Sequence, residues 1–258
     1  MERKHYTTDL SDKQWEIVSK YIPEKKGAGR KPKYEKREII NAIFYVVHSG
    51  CQWAMLPHDF PPWYSVYYHF RKWQKNGNWF LIHQALHQEL REKEGKQPEP
   101  TGAIIDSQSV KTSKVAETRG FDGNKKVKGR KRHLVVDTLG FPLVVKVHDA
   151  NLSDSQQAFS ILETLFFWFI TIRILWADAA YRGELVPWLL ATYQCQLEIA
   201  PTLETKGFRI VPKRWIIERS FGWLQWSRRL NIDYERYPYT AESFVYIAFI
   251  KILLNRLV

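Results

Sequence analysis

Over the first ninety-odd residues the apolar positions recur at helical spacing. Ser11 to Ile22 carries Trp15, Val18 and Ile22 three or four apart, with Ser11 placed to cap the first turn and Pro23 to end it. A Gly/Pro/Lys loop follows over 27–36. Lys36 to Ser49 reads as a second helix, with Ile39, Ile40, Ile43, Val46 and Val47 on its apolar side and Gly50 as its terminator. After a turn, Pro61 or Pro62 opens a third helix that stops at Gly77. A fourth runs from Trp79 to Glu92. The segment REKEGKQPEP is charged, carries prolines and has no apolar period, so it reads as a linker. The expected division is a helical domain over 1–93, a linker over 94–101 and a second domain over 102–258.

Beyond the linker the pattern changes to short apolar runs. GAIIDSQSV ends its run in an acid, as a buried strand would. RHLVVDTLGFPLVVKVHDA reads as two strands joined by a turn at Asp137–Pro142. Ser153 or Asp154 can cap the helix that follows. RILWADAAY is a strand, ELVPWLLATY a helix and CQLEIAP a strand. Two helices close the chain, an amphipathic one over 213–231 and an apolar one over 240–257. This order predicts a mixed α/β architecture. Strand, hairpin, helix, strand suits an RNase H-like mixed sheet flanked by helices, preceded by an all-α, helix-turn-helix-like domain. The most apolar window, Ala158 to Ala177, has the length of a membrane span. Glu163, Thr164, Thr171 and Arg173 interrupt it, so a buried helix running into a buried strand is expected instead.

Composition narrows the classes. The 258 residues are 45% hydrophobic and 26% charged, which excludes a disordered or collagen-like chain. Lysine and arginine exceed the acids by 12 charges, which points to a polyanionic partner such as nucleic acid. Cys51 and Cys195 have no zinc spacing and cannot staple a chain of this length, so a reducing, cytoplasmic setting is expected. The N-terminal residues lack the apolar stretch of a signal peptide.

Three acids stand out by position. Asp106 follows Ala103-Ile104-Ile105, and Asp178 follows Ile174-Leu175-Trp176-Ala177, each at the carboxyl end of an apolar strand. Neighbouring strand ends in an open α/β sheet form the crevice where ligands bind. Two carboxylates there repel each other unless a cation lies between them, and hard divalent cations take oxygen ligands. Glu218 lies on the 213–231 helix, heading a polar stripe with Gly222, Gln225 and Arg229. Strand-end acids are also common turn formers and caps. Asp137 begins a tight turn, and Asp149 and Asp154 flank a loop as a cap or an outer acid. His133 and His148, inside strands, read as hydrogen-bonded core residues.

Longer motifs carry a resemblance. Asp106-Ser107-Gln108-Ser109-Val110-Lys111-Thr112, Arg119-Gly120-Phe121-Asp122-Gly123-Asn124-Lys125-Lys126 and Lys128-Gly129-Arg130-Lys131-Arg132-His133-Leu134-Val135-Val136-Asp137 follow one another. Trp176-Ala177-Asp178, Tyr181-Arg182-Gly183 and Arg214-Trp215 with Glu218-Arg219 continue the series, and Cys51-Gln52-Trp53 and Phe60-Pro61-Pro62-Trp63 precede it. The chain resembles bacterial insertion-sequence transposases of the DDE class, in the IS-five group, over nearly its whole length. The resemblance implies that Asp106, Asp178 and Glu218 form the acidic triad and hold two Mg²⁺ (or Mn²⁺) ions. It also implies double-stranded DNA as partner, as terminal inverted repeats and as target, with a homo-oligomer on the DNA and no membrane. Ala179-Ala180 stand where the family has two glycines, and Val211 and Gln225 stand where related enzymes carry a tyrosine and a basic residue.

Several residues are expected at DNA. The basic run Lys125, Lys126, Lys128, Arg130, Lys131 and Arg132 should edge the acidic cleft and neutralise phosphates, with an aggregation-resistant edge strand as the plainer reading. Arg214, one helical turn before Glu218, can hold a phosphate or simply pair with Glu218. Arg228 and Arg229 can reach a backbone, and Tyr181 and Arg182 can position a strand. Helices 36–49 and 62–75 resemble a helix-turn-helix pair, in which Tyr64, Arg71 and Lys72 would face a major groove. Gly29-Arg30-Lys31-Pro32 could enter a minor groove. A DNA-binding protein with an impaired catalytic domain, and a stand-alone nuclease of the same fold, remain the other readings.

Overall fold

Apolar spacing becomes packing in a computed structural model that describes residues 3–24, 33–199 and 213–258. The chain divides into two units: 1–96 with 226–231 and 243–258, and 97–225 with 232–242. The last helix therefore groups largely with the N-terminal helices, where the sequence reading placed it with the sheet.

The first unit holds α1 (Asp12–Ser19), α2 (Lys36–Ser49), α3 (Trp63–Lys75), α4 (Asn78–Lys93) and most of α8 (Pro238–Leu257). Ser11 and Gln14 form a capping box at the start of α1, so the expected cap is present. The five apolar residues expected on α2 are all buried, as are Val66, Phe70 and Trp73 of α3. Phe244 to Ile250 of α8 form an unbroken buried run, with Phe244 stacked on Phe70 at 4.9 Å. A helix apolar on every side needs neighbours all round, which accounts for its membership of the helical unit.

The second unit is built on six strands: β1 (Gly102–Lys111), β2 (Gly120–Asp122), β3 (Val127–Asp137), β4 (Pro142–Asp149), β5 (Ile174–Ala177) and β6 (Gln196–Ile199). Their order is β2-β3-β1-β5-β6, with β4 also on β3. The β1–β3 and β3–β4 pairs are antiparallel, while β1–β5 and β5–β6 are parallel. Only the short β2 is absent from the sequence reading. Against one face, α5 (Asp154–Trp168) and α6 (Leu185–Tyr193) close a core around Ile105, Val135, Leu162, Leu165, Leu175 and Leu189. The apolar 158–177 window thus resolves into α5 and β5. Among the described residues no helix is long and apolar enough to cross a membrane.

The amphipathic segment at 213–231 is not one helix. α7 spans Arg214–Leu224, and Arg228–Leu230 form a separate 3-10 turn. Arg229 and Leu230 are buried in the first unit, where Arg229 donates to the Cys51 carbonyl and lies over the Phe244 ring. That burial outweighs continued helix, so the stripe expected to run from Glu218 to Gln225 and Arg229 is broken.

The β3–β4 turn is held by Asp137, whose buried carboxylate accepts from the amides of Leu139 and Phe141. Gly140 has φ +90, and a Cβ there would meet Ser220 Oγ of α7 at 2.9 Å. Ser220 Oγ lies 2.7 Å from the Gly140 carbonyl oxygen and donates there, and Arg219 donates to the Leu139 carbonyl. This turn therefore seats α7. Gly140→Ala should lower unfolding stability by about 1–3 kcal/mol, through the left-handed backbone and the lost clearance. Urea unfolding measures it, and an unchanged midpoint would contradict the seating.

Candidate active site

The parallel β1–β5 register pairs Ile104 with Trp176, so Asp106 and Asp178 each lie two residues further along neighbouring strands. Asp106 Oδ1 accepts from the Ser107 amide at 2.7 Å, which aims the carboxylate. Asp178 sits just past β5 and caps a 3-10 turn, Ala179–Tyr181, by accepting from the Ala180 amide at 2.9 Å. Glu218 lies in the middle of α7 and is more than half exposed. Arg214 Nη2 lies 3.9 Å from Asp106 Oδ2 and 3.6 Å from Glu218 Oε1, so one guanidinium spans both acids. At these distances the pairing is loose.

Burial pushes the Asp106 carboxyl up to about 6, Asp178 adds repulsion, and the Ser107 amide and Arg214 counteract it. Asp106 thus carries a repulsion from Asp178 that is only partly answered, and it shares Arg214 with Glu218. Such an all-oxygen set fits a hard divalent cation such as Mg²⁺ or Mn²⁺. The positioning of α7 adds to this. Lys213, at its N-cap, lies 3.5 Å over the Trp176 ring of β5, and Arg219 lies 4.7 Å from both the Trp215 and Trp223 rings.

Comparison with known proteins gives the chain a family. A family described as "Transposase DDE domain" matches residues 97–255. The chain belongs to the DDE-domain transposases. A second family, described as "Putative transposase of IS4/5 family", matches residues 10–83. A transposase of insertion sequence element IS402 from Burkholderia cepacia is 29% identical over 115 residues, covering 42% of this chain and 54% of that protein. One of IS6501 from Brucella ovis is 30% identical over 124 residues, covering 46% of this chain and 92% of that protein.

The basic run splits in two. Lys125 and Lys126, on the turn into β3, and Lys128, near its start, are exposed, and Lys125 Nζ also donates to the Ser107 carbonyl. Arg130, Lys131 and Arg132 are buried, contrary to expectation. Arg130 donates to the carbonyls of Thr118, Glu235 and Arg236 and pairs with Asp233 at 3.1 Å. Lys131 pairs with Asp154 at 3.0 Å and donates to the Leu152 carbonyl. Burial lowers the Arg132 guanidinium to about 10. The reason is topological: β3 is paired on both sides, so it is no edge strand, and its side chains from 130 onward enter covered faces.

Tyr181 is also fully buried, with its hydroxyl on His133 Nε2, and cannot touch a DNA strand. Arg182 is exposed beside it. In the first unit Arg228, Tyr64 and Lys72 are exposed, Arg71 is half-buried and Arg229 is buried. Gly29 to Pro32 and Val211 lie outside the described residues, and Gln225 falls beyond the end of α7. The described non-glycine residues with positive φ are Lys126, Gln194 and Lys213. Ala179 and Ala180 therefore need no glycine-like freedom. Sequence reasoning missed the aromatic seats of Lys213 and Arg219. The i, i+4 spacing of Trp215, Arg219 and Trp223 was the signal for Arg219, while the Lys213–Trp176 contact had no local signal.

Two outcomes follow. Arg130→Ala should cost about 3–5 kcal/mol in denaturant unfolding, because it strands Asp233 as a buried charge; a near-neutral effect would mean that Arg130 is not structural. Asp106 titrates higher in the folded protein than its ordinary 3.8. Its contribution to stability is full below about pH 4 and lost as pH rises through about 6. Without divalent ions, Asp106→Asn should melt above wild type at pH 7.5, by on the order of 2 kcal/mol, and match it near pH 4. Calorimetry at the two pH values checks both sign and window.

Proposed function

We propose that this protein cuts DNA at the ends of a transposable element and joins those ends to target DNA. The observation that supports this is Asp106 beside Asp178, with Arg214 reaching both Asp106 and Glu218, in a chain of the DDE family. The three carboxylates would hold two Mg²⁺ or Mn²⁺ ions, which supply activation of the attacking oxygen and charge stabilisation of the leaving one. Asp106, largely withdrawn from water and beside Asp178, would be a ligand common to both ions. Arg214 neutralises the acids and turns its guanidinium to a DNA phosphate when cations neutralise them instead. Lys125, Lys126, Lys128 and Arg182 neutralise backbone charge in the same unit.

Terminal-repeat recognition is assigned to α2, the following turn and α3. Tyr64, Tyr68 and Lys72 are exposed on α3 while Val66, Phe70 and Trp73 are buried, and Arg71 lies at the margin. An outward stripe of phenols and cations suits a major groove. Arg228 adds phosphate contact. Two ends must be held at once, so the protein acts as a homo-oligomer on DNA, in the cytoplasm at the nucleoid.

A strand-cleavage and strand-transfer assay with cognate inverted repeats and Mg²⁺ tests the reading. Asp106→Asn, Asp178→Asn and Glu218→Gln should each abolish cleavage and leave repeat binding within about twofold of wild type, since ligand removal touches the chemistry and not the docking surface. Repeat binding without cleavage by the wild type would mark an impaired enzyme, and cutting without joining a nuclease. Activity retained in one variant would remove that acid from the triad.

A further inference from the structure

Behind the strand ends, the buried Tyr181 and His133 and the half-buried His148 have no part in the chemistry above. Tyr181 ends the 3-10 turn that Asp178 caps. Its hydroxyl oxygen lies 2.7 Å from His133 Nε2. His133 Nδ1 lies 3.3 Å from His148 Nε2, and His148 Nδ1 lies 3.1 Å from the Asp149 carbonyl oxygen. A carbonyl can only accept, so His148 carries its proton on Nδ1. In a neutral ring Nε2 then accepts, so His133 donates from Nδ1. His133 Nε2 accepts in turn, and the Tyr181 hydroxyl donates. One assignment satisfies every group with both rings neutral. Burial favours that state, lowering His133 to about 3 and His148 in the same direction.

A metal site is the competing reading, since ligand atoms of His133, His148 and Asp154 all lie within 4.8 Å of one another. The surroundings oppose it. Asp154 already accepts from Ser107 Oγ at 2.9 Å and pairs with the Lys131 ammonium at 3.0 Å, which places a cation where an ion would have to enter.

We propose that Tyr181 is a positioning residue for the acidic site: through the His133–His148 chain its hydroxyl ties the Ala179–Tyr181 turn to β3 and holds the Asp178 carboxylate beside Asp106. This rests on the ion-binding reading of the triad. Tyr181→Phe keeps the ring and removes the donor. It leaves His133 Nε2 unpaired and the turn held only by its cap and its packing.

The test is Mn²⁺ titration of the full chain by electron paramagnetic resonance, beside ¹⁵N spectra of the imidazoles and the Mn²⁺ dependence of cleavage. In wild type the spectra should show both rings neutral, protonated on Nδ1. Tyr181→Phe should weaken Mn²⁺ binding roughly tenfold, as loss of an outer partner does. Cleavage should recover towards the wild-type rate at saturating Mn²⁺, a split that general destabilisation would not produce. His148→Gln, at the far end of the chain, should shift affinity the same way by less, and it serves if the phenylalanine variant does not fold. Wild-type Mn²⁺ affinity in Tyr181→Phe overturns the proposal. So does a tightly bound zinc ion that copurifies with wild type and is lost in His148→Gln. Mn²⁺ binding that survives Asp106→Asn would instead overturn the triad reading itself.

Discussion

Placing two carboxylates at the ends of adjacent parallel strands is electrostatically unfavourable, and the structure of the second unit is organised around that cost. Parallel pairing of β1 with β5 puts Asp106 and Asp178 side by side, and the sheet removes Asp106 from water. Desolvation and like charge both favour the protonated form, so the acid is raised. A site with this bias relaxes when positive charge enters it. Arg214 supplies some of that charge at distances too long for tight pairing. The repulsion between the acids is therefore a standing preference for cations, stored in the backbone pairing of the sheet.

Glu218 is carried on α7, which is fixed in place by contacts that involve no acid. Its N-cap lysine sits on Trp176, and Arg219 and Ser220 are hydrogen-bonded to the β3–β4 turn. Cations over aromatic faces are the more effective for being partly desolvated. Each contact leads back to strands that also carry or flank the other acids. The helix, the β3–β4 turn and β5 are therefore joined by direct contacts.

Strand and helix order, the α2 core face and the capping box at Ser11 were legible in the sequence because each depends on local periodicity or local hydrogen bonding. Asp106 and Asp178 were singled out because apolar strands that end in carboxylates are conspicuous, whereas Glu218, on a helix, was marked only by its polar stripe and the family motif. The basic run was misread from Arg130 onward because charge counting cannot tell a central strand from an edge strand. That distinction depends on β1 and β4 flanking β3, a pairing between segments far apart in the chain. The same holds for Tyr181: its position after Asp178 marked it for DNA, but only the fold brings His133 beneath its hydroxyl. The break after Leu224 had no local signal, since it follows from where Arg229 is buried.

The alanine pair at 179–180 shows how a departure from a family pattern is to be weighed. Glycine matters where the backbone enters the left-handed region or where a Cβ would collide. Neither alanine has positive φ, and both lie in a 3-10 turn capped by Asp178 itself. In such a turn alanine restricts the unfolded chain more than glycine does and stiffens the folded one. The substitution removes a freedom that the turn does not use. With the carboxylate cap at one end and the Tyr181 hydroxyl at the other, the segment after Asp178 is constrained at both ends.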